Sequence, residues 1–277
     1  MVAEMTFSTV LPKAQDSHPS RLGWWHGVLA IWGRHIMVWK AHFWPSVVSN
    51  ILNPLLFLFA FGFGLGAVID KIDGLPYLVY VLPGIAANAA FFNASFESSV
   101  VAFGRFHTQK TYNAILATPV GLTEILAAEA FWSATKSLLA AASVLGVGFA
   151  IGGIGSSWGA LVALPLVFLC SIAFACFGLF MMSLARGFEF FNYFFTFWVT
   201  PSFLFAGVFF GVDRFPGWVQ PIAWALPMTH MVAILRPIIA GSPLDLTMAA
   251  GHLAYVTLFG MVFYLLAWRQ LRRRLFD

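Results

Sequence analysis

The sequence predicts an all-α integral membrane protein with six transmembrane helices, and two observations carry that prediction. Of the 277 residues, 60% are apolar and only 9% are charged, against roughly 25% charged in a soluble domain. Runs of about 20 predominantly apolar residues recur along the chain, the length that crosses ~30 Å of hydrocarbon as a helix. The spans consume nearly the whole length and leave no room for a separate globular domain. A polar stretch at 1–20 has no apolar core of signal-peptide type and is expected to be a retained, disordered cytoplasmic tail.

The elements follow in order. Over 21–43, Leu22, Trp25, Leu29, Trp32, Ile36, Trp39 and Phe43 recur at helical spacing, with Arg34, His35 and Lys40 between them. This predicts an amphipathic helix lying in the headgroup region. The transmembrane domain then occupies 44–275. Its spans are expected near 45–68, 77–103, 122–151, 158–184, 190–211 and 248–268. A polar turn, Asp70-Lys71-Ile72-Asp73-Gly74, separates the first two. The segment between spans five and six is apolar yet carries Pro216, Pro221, Pro227 and Pro237. Proline removes donors and kinks helices, and broken backbone at membrane depth survives only where protein or a water-filled cavity covers it. A broken re-entrant hairpin in the outer leaflet is therefore expected before span six.

Basic residues set the orientation. With the N-terminus inside, Arg34, Lys40, Arg105, Lys110, Arg186, Arg269, Arg272, Arg273 and Arg274 fall on the inner side. Only Lys71, Arg214 and Arg236 fall outside, as the positive-inside rule requires. Both termini are expected in the cytoplasm, and so is the loop from Arg105 to Thr123, the one substantial polar interruption between long apolar segments of the first half. A soluble partner docking there gives such a loop its reason.

The ionisable residues inside spans are few. Glu129 and Lys136 are seven apart, on nearly one helical face, and ~10 Å apart along the axis; a direct ion pair between them is not expected. A charge in the bilayer faces the bundle interior and finds a partner. Two readings stay open: a polar pathway lining, or a clamp to a neighbouring helix, for which Asn93 and Glu97 of span two are the candidates. Gly62-x-x-x-Gly66 and Gly148-x-x-x-Gly152 suit close helix contact. Cys170 and Cys176 are expected to be packing residues rather than a disulfide or metal pair.

Several classes are disfavoured. No GxxxxGK[ST] occurs, and Gly62-Phe-Gly64-Leu-Gly66 lies inside an apolar span with no strand before it and no lysine after it. The histidines have no metal-ligand spacing, and no Ser/His/Asp arrangement is recognisable. The net charge of +4 sits beside spans, which points to lipid headgroups rather than nucleic acid. A transport protein without catalytic chemistry of its own is expected.

The order of parts, together with Ala102-Phe-Gly-Arg105, Glu129-Ala-Phe-Trp-Ser-Ala-Thr-Lys136, Pro227-Met-Thr-His230 leading to Leu235-Arg-Pro237, and Arg272-Arg-Arg-Leu275, resembles the permease of a type-2 ABC exporter over about 41–275. Within that group it resembles the nodulation-factor (lipochitooligosaccharide) export permeases. The resemblance implies a homodimer in a bacterial inner membrane, working with two copies of a separate ATP-binding subunit. That subunit holds ATP and Mg, and this chain holds no cofactor. The loop around 112–120 becomes the coupling helix, with Arg105, Lys110, Tyr112, Ile115, Leu116 and Pro119 as the residues facing that subunit. The broken hairpin becomes an outer gate, with Phe209, Phe210, Trp218, Trp224, His230 and Arg236 as its candidates. The cargo implied is an amphiphilic glycolipid or lipooligosaccharide; a drug or another polysaccharide is the alternative. A proton-coupled secondary transporter using Glu97, Glu129 and Lys136, and a membrane-embedded lipid-modifying enzyme, are the rivals from other classes.

Overall fold

The computed structural model describes residues 23–41, 43, 44, 52 and 54–276. The predicted tail and the start of predicted span one lie outside the described residues. Helix α1 is Trp24–Ala41, and α2 is the apolar segment Pro54–Ala67. Strands β1 (Lys71–Ile72) and β2 (Leu75–Pro76) then pair antiparallel. The turn between them needs left-handed backbone at both central residues. Asp73 and Gly74 supply it, at φ 52° and 81°.

Four helices are long and apolar enough to cross a bilayer: α3 (Tyr77–Thr108), α5 (Leu122–Ala150), α6 (Ser157–Leu184) and α11 (Leu246–Phe276). α3 is the hub, with its apolar stretch 78% buried against 11% for α11. The short α4 (Thr111–Leu116) links α3 to α5, entered through Lys110 in a left-handed turn at φ 53°. α6 is started by Ser156, whose hydroxyl accepts from the Gly159 N–H at 3.1 Å, the usual N-cap arrangement. α3, α5 and α6 pack on one another, α11 lies along α6, and α1 lies along α5.

Between α6 and α11 the chain is broken as the prolines require. α7 (Glu189–Phe194), a π-helical turn (Phe195–Val199) and α8 (Thr200–Phe205) run in sequence. They end at a left-handed Gly207, φ 74°, so predicted span five stops about five residues early. Pro201 lacks a donor for the turn before it, and the helix underwinds there. α9 (Gln220–Trp224) and α10 (Pro227–Ala240) complete the broken segment. α10 ends at Gly241, φ 75°, the left-handed C-cap that glycine adopts readily.

In hydrocarbon, helices associate through close packing and interhelix hydrogen bonds rather than through burial from water. A Cβ added at Gly148 would come within 2.5 Å of Leu82 on α3, and one at Gly260 within 2.7 Å of Ala173 on α6. Gly152, the other half of that predicted pair, caps the helix instead, at φ 73°.

The loops gather at two ends. One end holds the β-hairpin, residues 151–156 and 206–226: Gly155 and Ser156 donate to the Ile239 carbonyl at 3.1 and 3.0 Å, and Arg214 pairs with Asp73 at 3.0 Å. The other end holds residues 109–121, residues 185–188 and the terminal arginines. There the Tyr264 hydroxyl donates to the Thr123 carbonyl at 3.0 Å, and the Phe103 and Phe188 rings meet at 5.1 Å.

The predicted stripe of α1 is not the face that packs on the bundle. Trp25 and Leu29 face outward, while Gly27, Val28, Ile31 and His35 are buried. The small residues sit against α5 because Gly27 lets the Glu124 side chain approach: a Cβ there would lie 3.2 Å from Glu124 Cγ. The bulky tryptophans remain for the surroundings.

Candidate functional site

Ionisable residues of α1, α3 and α5 converge on one buried cluster beside the α4 loop. Arg105 is its centre. Its Nε donates to Glu129 Oε1 at 3.0 Å and its Nη2 to Glu129 Oε2 at 2.5 Å, the bidentate fork that guanidinium and carboxylate favour. Its Nη1 donates to Glu97 Oε1 at 3.0 Å. Lys136 Nζ donates to Glu97 Oε2 at 2.7 Å, and Trp132 Nε1 donates to Glu97 Oε1 at 2.9 Å. His35 of α1 brings Nε2 to 3.5 Å from Glu129 Oε1 and stacks on Trp132 at 5.7 Å. Glu129 is 1% exposed and Glu97 3%.

Two carboxylates, one guanidinium and one ammonium sum to zero charge. That balance allows four charges to stay buried, because a lone buried charge costs several kcal/mol whereas a paired, hydrogen-bonded one is tolerated. α1, α3 and α5 are thereby tied at the point where α3 leaves the bundle for the α4 loop. Glu129 and Lys136 do not touch, as expected from their spacing; Arg105 and Glu97 join them. Asn93 stays out of the cluster and donates to its own helix at the Ala89 carbonyl, 3.0 Å away.

Two members were not assigned to this cluster from the sequence. In an ideal helix, residues eight apart lie about 80° away from each other around the axis, so Glu97 and Arg105 do not share a face. The π-helical turns Glu97–Val101 and Gly104–Thr108 underwind α3 by enough to bring them together. Arg105 is consequently no loop cation facing a partner, as expected, but 9% exposed inside the bundle. His35 was hidden by the tryptophan stripe; its spacing from Val28 and Ile31 is the signal that marks it.

The other expected coupling residues divide. Tyr112 is fully buried and packs against Phe106 at 5.5 Å. Burial, with the Glu129 charge beside it, pushes its phenol well above the usual range. It anchors α4 from beneath rather than facing outward. Lys110, Asn113, Ala114, Ala117, Thr118 and Pro119 are exposed, and Ile115 and Leu116 are half-buried. These form the outward face of the loop, closed by Thr118 donating from its hydroxyl to the Ile115 carbonyl at 2.6 Å.

The expected gate residues lie at the opposite end in separate groups. Phe209 packs on Phe61 and Phe203 at 4.5 and 5.3 Å, Phe210 meets Phe215 at 5.0 Å, and Trp218 is 75% exposed. His230 Nε2 lies 2.8 Å from the Trp224 carbonyl, and His230 Nδ1 lies 2.8 Å from His252 Nδ1. A carbonyl only accepts, so a neutral His230 donates from Nε2 and accepts at Nδ1. Trp224 and Arg236 border a cavity of about 300 Å³. Among the described residues no three His, Cys, Asp or Glu side chains are grouped to hold a metal.

Comparison with known proteins bears on the whole arrangement. A family model described as ABC-2 type transporter matches residues 26–240. Nodulation protein J of Rhizobium meliloti (strain 1021) is 34% identical over 249 residues, covering 89% of this chain and 93% of that protein. Nodulation protein J of Rhizobium leguminosarum bv. viciae is 33% identical over 249 residues, covering 89% and 94%. The inner membrane transport permease YadH of Escherichia coli (strain K12) is 25% identical over 256 residues, covering 90% and 96%.

Proposed function

The chain belongs to the ABC-2 type transporter family, as a membrane permease subunit of an ABC exporter, and from that premise we propose how it works and what it carries. A separate ATP-binding subunit docks on the outward face of residues 109–121. Two copies of that subunit, which bind ATP and Mg, serve two copies of this chain. α2 and the 189–205 segment complete six spans around the four long helices, 1–20 is a cytoplasmic tail, and α1 lies at the inner interface. Both termini are cytoplasmic, in the inner membrane of a bacterium. The cargo is an amphiphilic lipooligosaccharide of the kind implied by the resemblance to the nodulation-factor permeases.

The observation that carries the mechanism is the Arg105 cluster. It lies at the root of the α4 loop and holds α1, α3 and α5 together, so a push on the loop moves three helices as one. The partner's two nucleotide states then bias the bundle through their different affinities for the loop. The hairpin 206–240 at the far end gates release. The cluster speaks against a proton-coupled carrier, because both carboxylates are matched by cations and neither is left as a free acid.

The test keeps Tyr112 and replaces residues 113–118 with a glycine-serine stretch. Membrane insertion persists while co-purification of the ATP-binding subunit and export are lost. Normal co-purification contradicts the assignment.

A further inference from the structure

At the end opposite the α4 loop, α3, the 206–220 segment, α9 and α10 enclose the cavity of about 300 Å³, at the small end of ligand pockets. Its wall contains Tyr80, 2% exposed, whose hydroxyl has no hydrogen-bond partner among the described residues. Buried hydroxyls are nearly always paired, and the Tyr80 side chain borders the cavity.

The neighbours are equally ready to bind. The Arg236 guanidinium sits 3.9 Å over the Tyr80 ring. Its Nε and Nη2 donate to the Tyr80, Gly207 and Val208 carbonyls, while its Nη1 meets no acceptor among the described residues. Gln220 Nε2 donates to the Asp213 and Phe215 carbonyls at 3.2 and 3.0 Å, which leaves its Oε1 as an acceptor. Asp213 adds a carboxylate at the exposed rim, and Trp224 adds a half-open indole, 41% exposed. Asp73 is already paired with Arg214.

We propose that this cavity is a binding subsite for a neutral sugar ring. A pyranose carries hydroxyls that both donate and accept, together with an apolar face of C–H groups. The cavity answers with donors at Tyr80 and Arg236, acceptors at Asp213 and Gln220, and an aromatic surface at Trp224. An anion meets Arg236, whose Nε and Nη2 are already given to main-chain carbonyls, and the carboxylate of Asp213 at the rim, unpaired among the described residues. An acyl chain leaves the Tyr80 hydroxyl, Arg236 Nη1 and Gln220 Oε1 unmatched. The subsite deepens the glycolipid reading and rests on it for the cargo to which the sugar belongs; the lining itself asks only for a neutral glycan.

The test uses the full chain in lipid nanodiscs, titrated with maltotetraose and chitotetraose, with tetragalacturonate as the anionic comparison. Tryptophan fluorescence and calorimetry report binding. At least one neutral tetrasaccharide binds saturably. Tyr80→Phe, which keeps the ring beneath Arg236 and removes only the hydroxyl, weakens that binding about five- to tenfold, the effect of one hydrogen bond. An unchanged elution profile on size exclusion verifies that the variant is folded. No binding of either neutral sugar, equal binding by Tyr80→Phe, or tighter binding of tetragalacturonate overturns the subsite. Mass spectrometry of the culture medium separates the two readings. Glycolipid export by a chain that binds no neutral sugar rejects the subsite alone; sugar binding without glycolipid export rejects the cargo alone.

Discussion

Arg105 contacts both carboxylates of the cluster, and the charge balance around it makes the cluster sensitive to single changes. Lys136→Met leaves Glu97 with one cation fewer and the cluster with a net negative charge, at a cost of about 3–5 kcal/mol for breaking a buried pair from one side. Adding Glu97→Gln restores neutrality and keeps a group that accepts from Trp132 and Arg105, so the double variant recovers most of the loss. Thermal denaturation of the detergent-solubilised protein, followed by size exclusion, measures both. A double variant less stable than Lys136→Met alone rejects charge balance as the reason for the cluster. At this scale Glu129 and Lys136 were legible in the sequence because charges inside apolar runs stand out. Arg105 and His35 were misplaced for local reasons: one lies beyond two π-helical turns that change which residues share a face, the other on a helix whose packed face is marked by small residues rather than large ones.

Some helix contacts here are made through the smallest side chains. α1 shows it, packing through Gly27, Val28 and Ile31 while Trp25 and Leu29 stay outside. In water, the large apolar stripe marks the buried face; beside lipid, it does not, because the surroundings are as apolar as the core. That is why hydropathy made the long spans α3, α5, α6 and α11 readable but did not say which face of α1 packs on α5. The end of the 189–205 segment was missed because Pro201 and Gly207 act through backbone geometry that hydropathy does not register. Gly260 fixes the distance between α6 and α11, since a Cβ there would sit 2.7 Å from Ala173. Gly260→Leu is expected to destabilise the protein by about 1–3 kcal/mol through overpacking, read from the midpoint of thermal unfolding. Gly251→Leu, on the same helix with open space around it, serves as the control and shifts the midpoint little. Equal effects from the two remove the argument for a tight α6–α11 contact.

Across the whole molecule the working parts lie at opposite ends. The ion cluster and α4 occupy one, the hairpin and its sugar-sized cavity the other, with α3 running between them from Tyr80 at the cavity to Arg105 at the cluster. The family, the helical architecture and the existence of a polar loop between two long spans were all legible in the residues. The cavity was not, because Tyr80, Gly207, Asp213 and Arg236 come from distant stretches that only the folded hairpin brings together. The claim on which the mechanism depends is that residues 109–121 face the cytoplasm and are held there by an ATP-binding subunit. Ala114→Cys tests it most directly, because Ala114 is exposed and the native Cys170 and Cys176 are buried. In membranes from cells co-expressing an ATP-binding subunit, that thiol is predicted to cross-link to the subunit with a bifunctional maleimide and to resist a membrane-impermeant maleimide added from outside. Labelling from outside, with no cross-link to the subunit, contradicts the account.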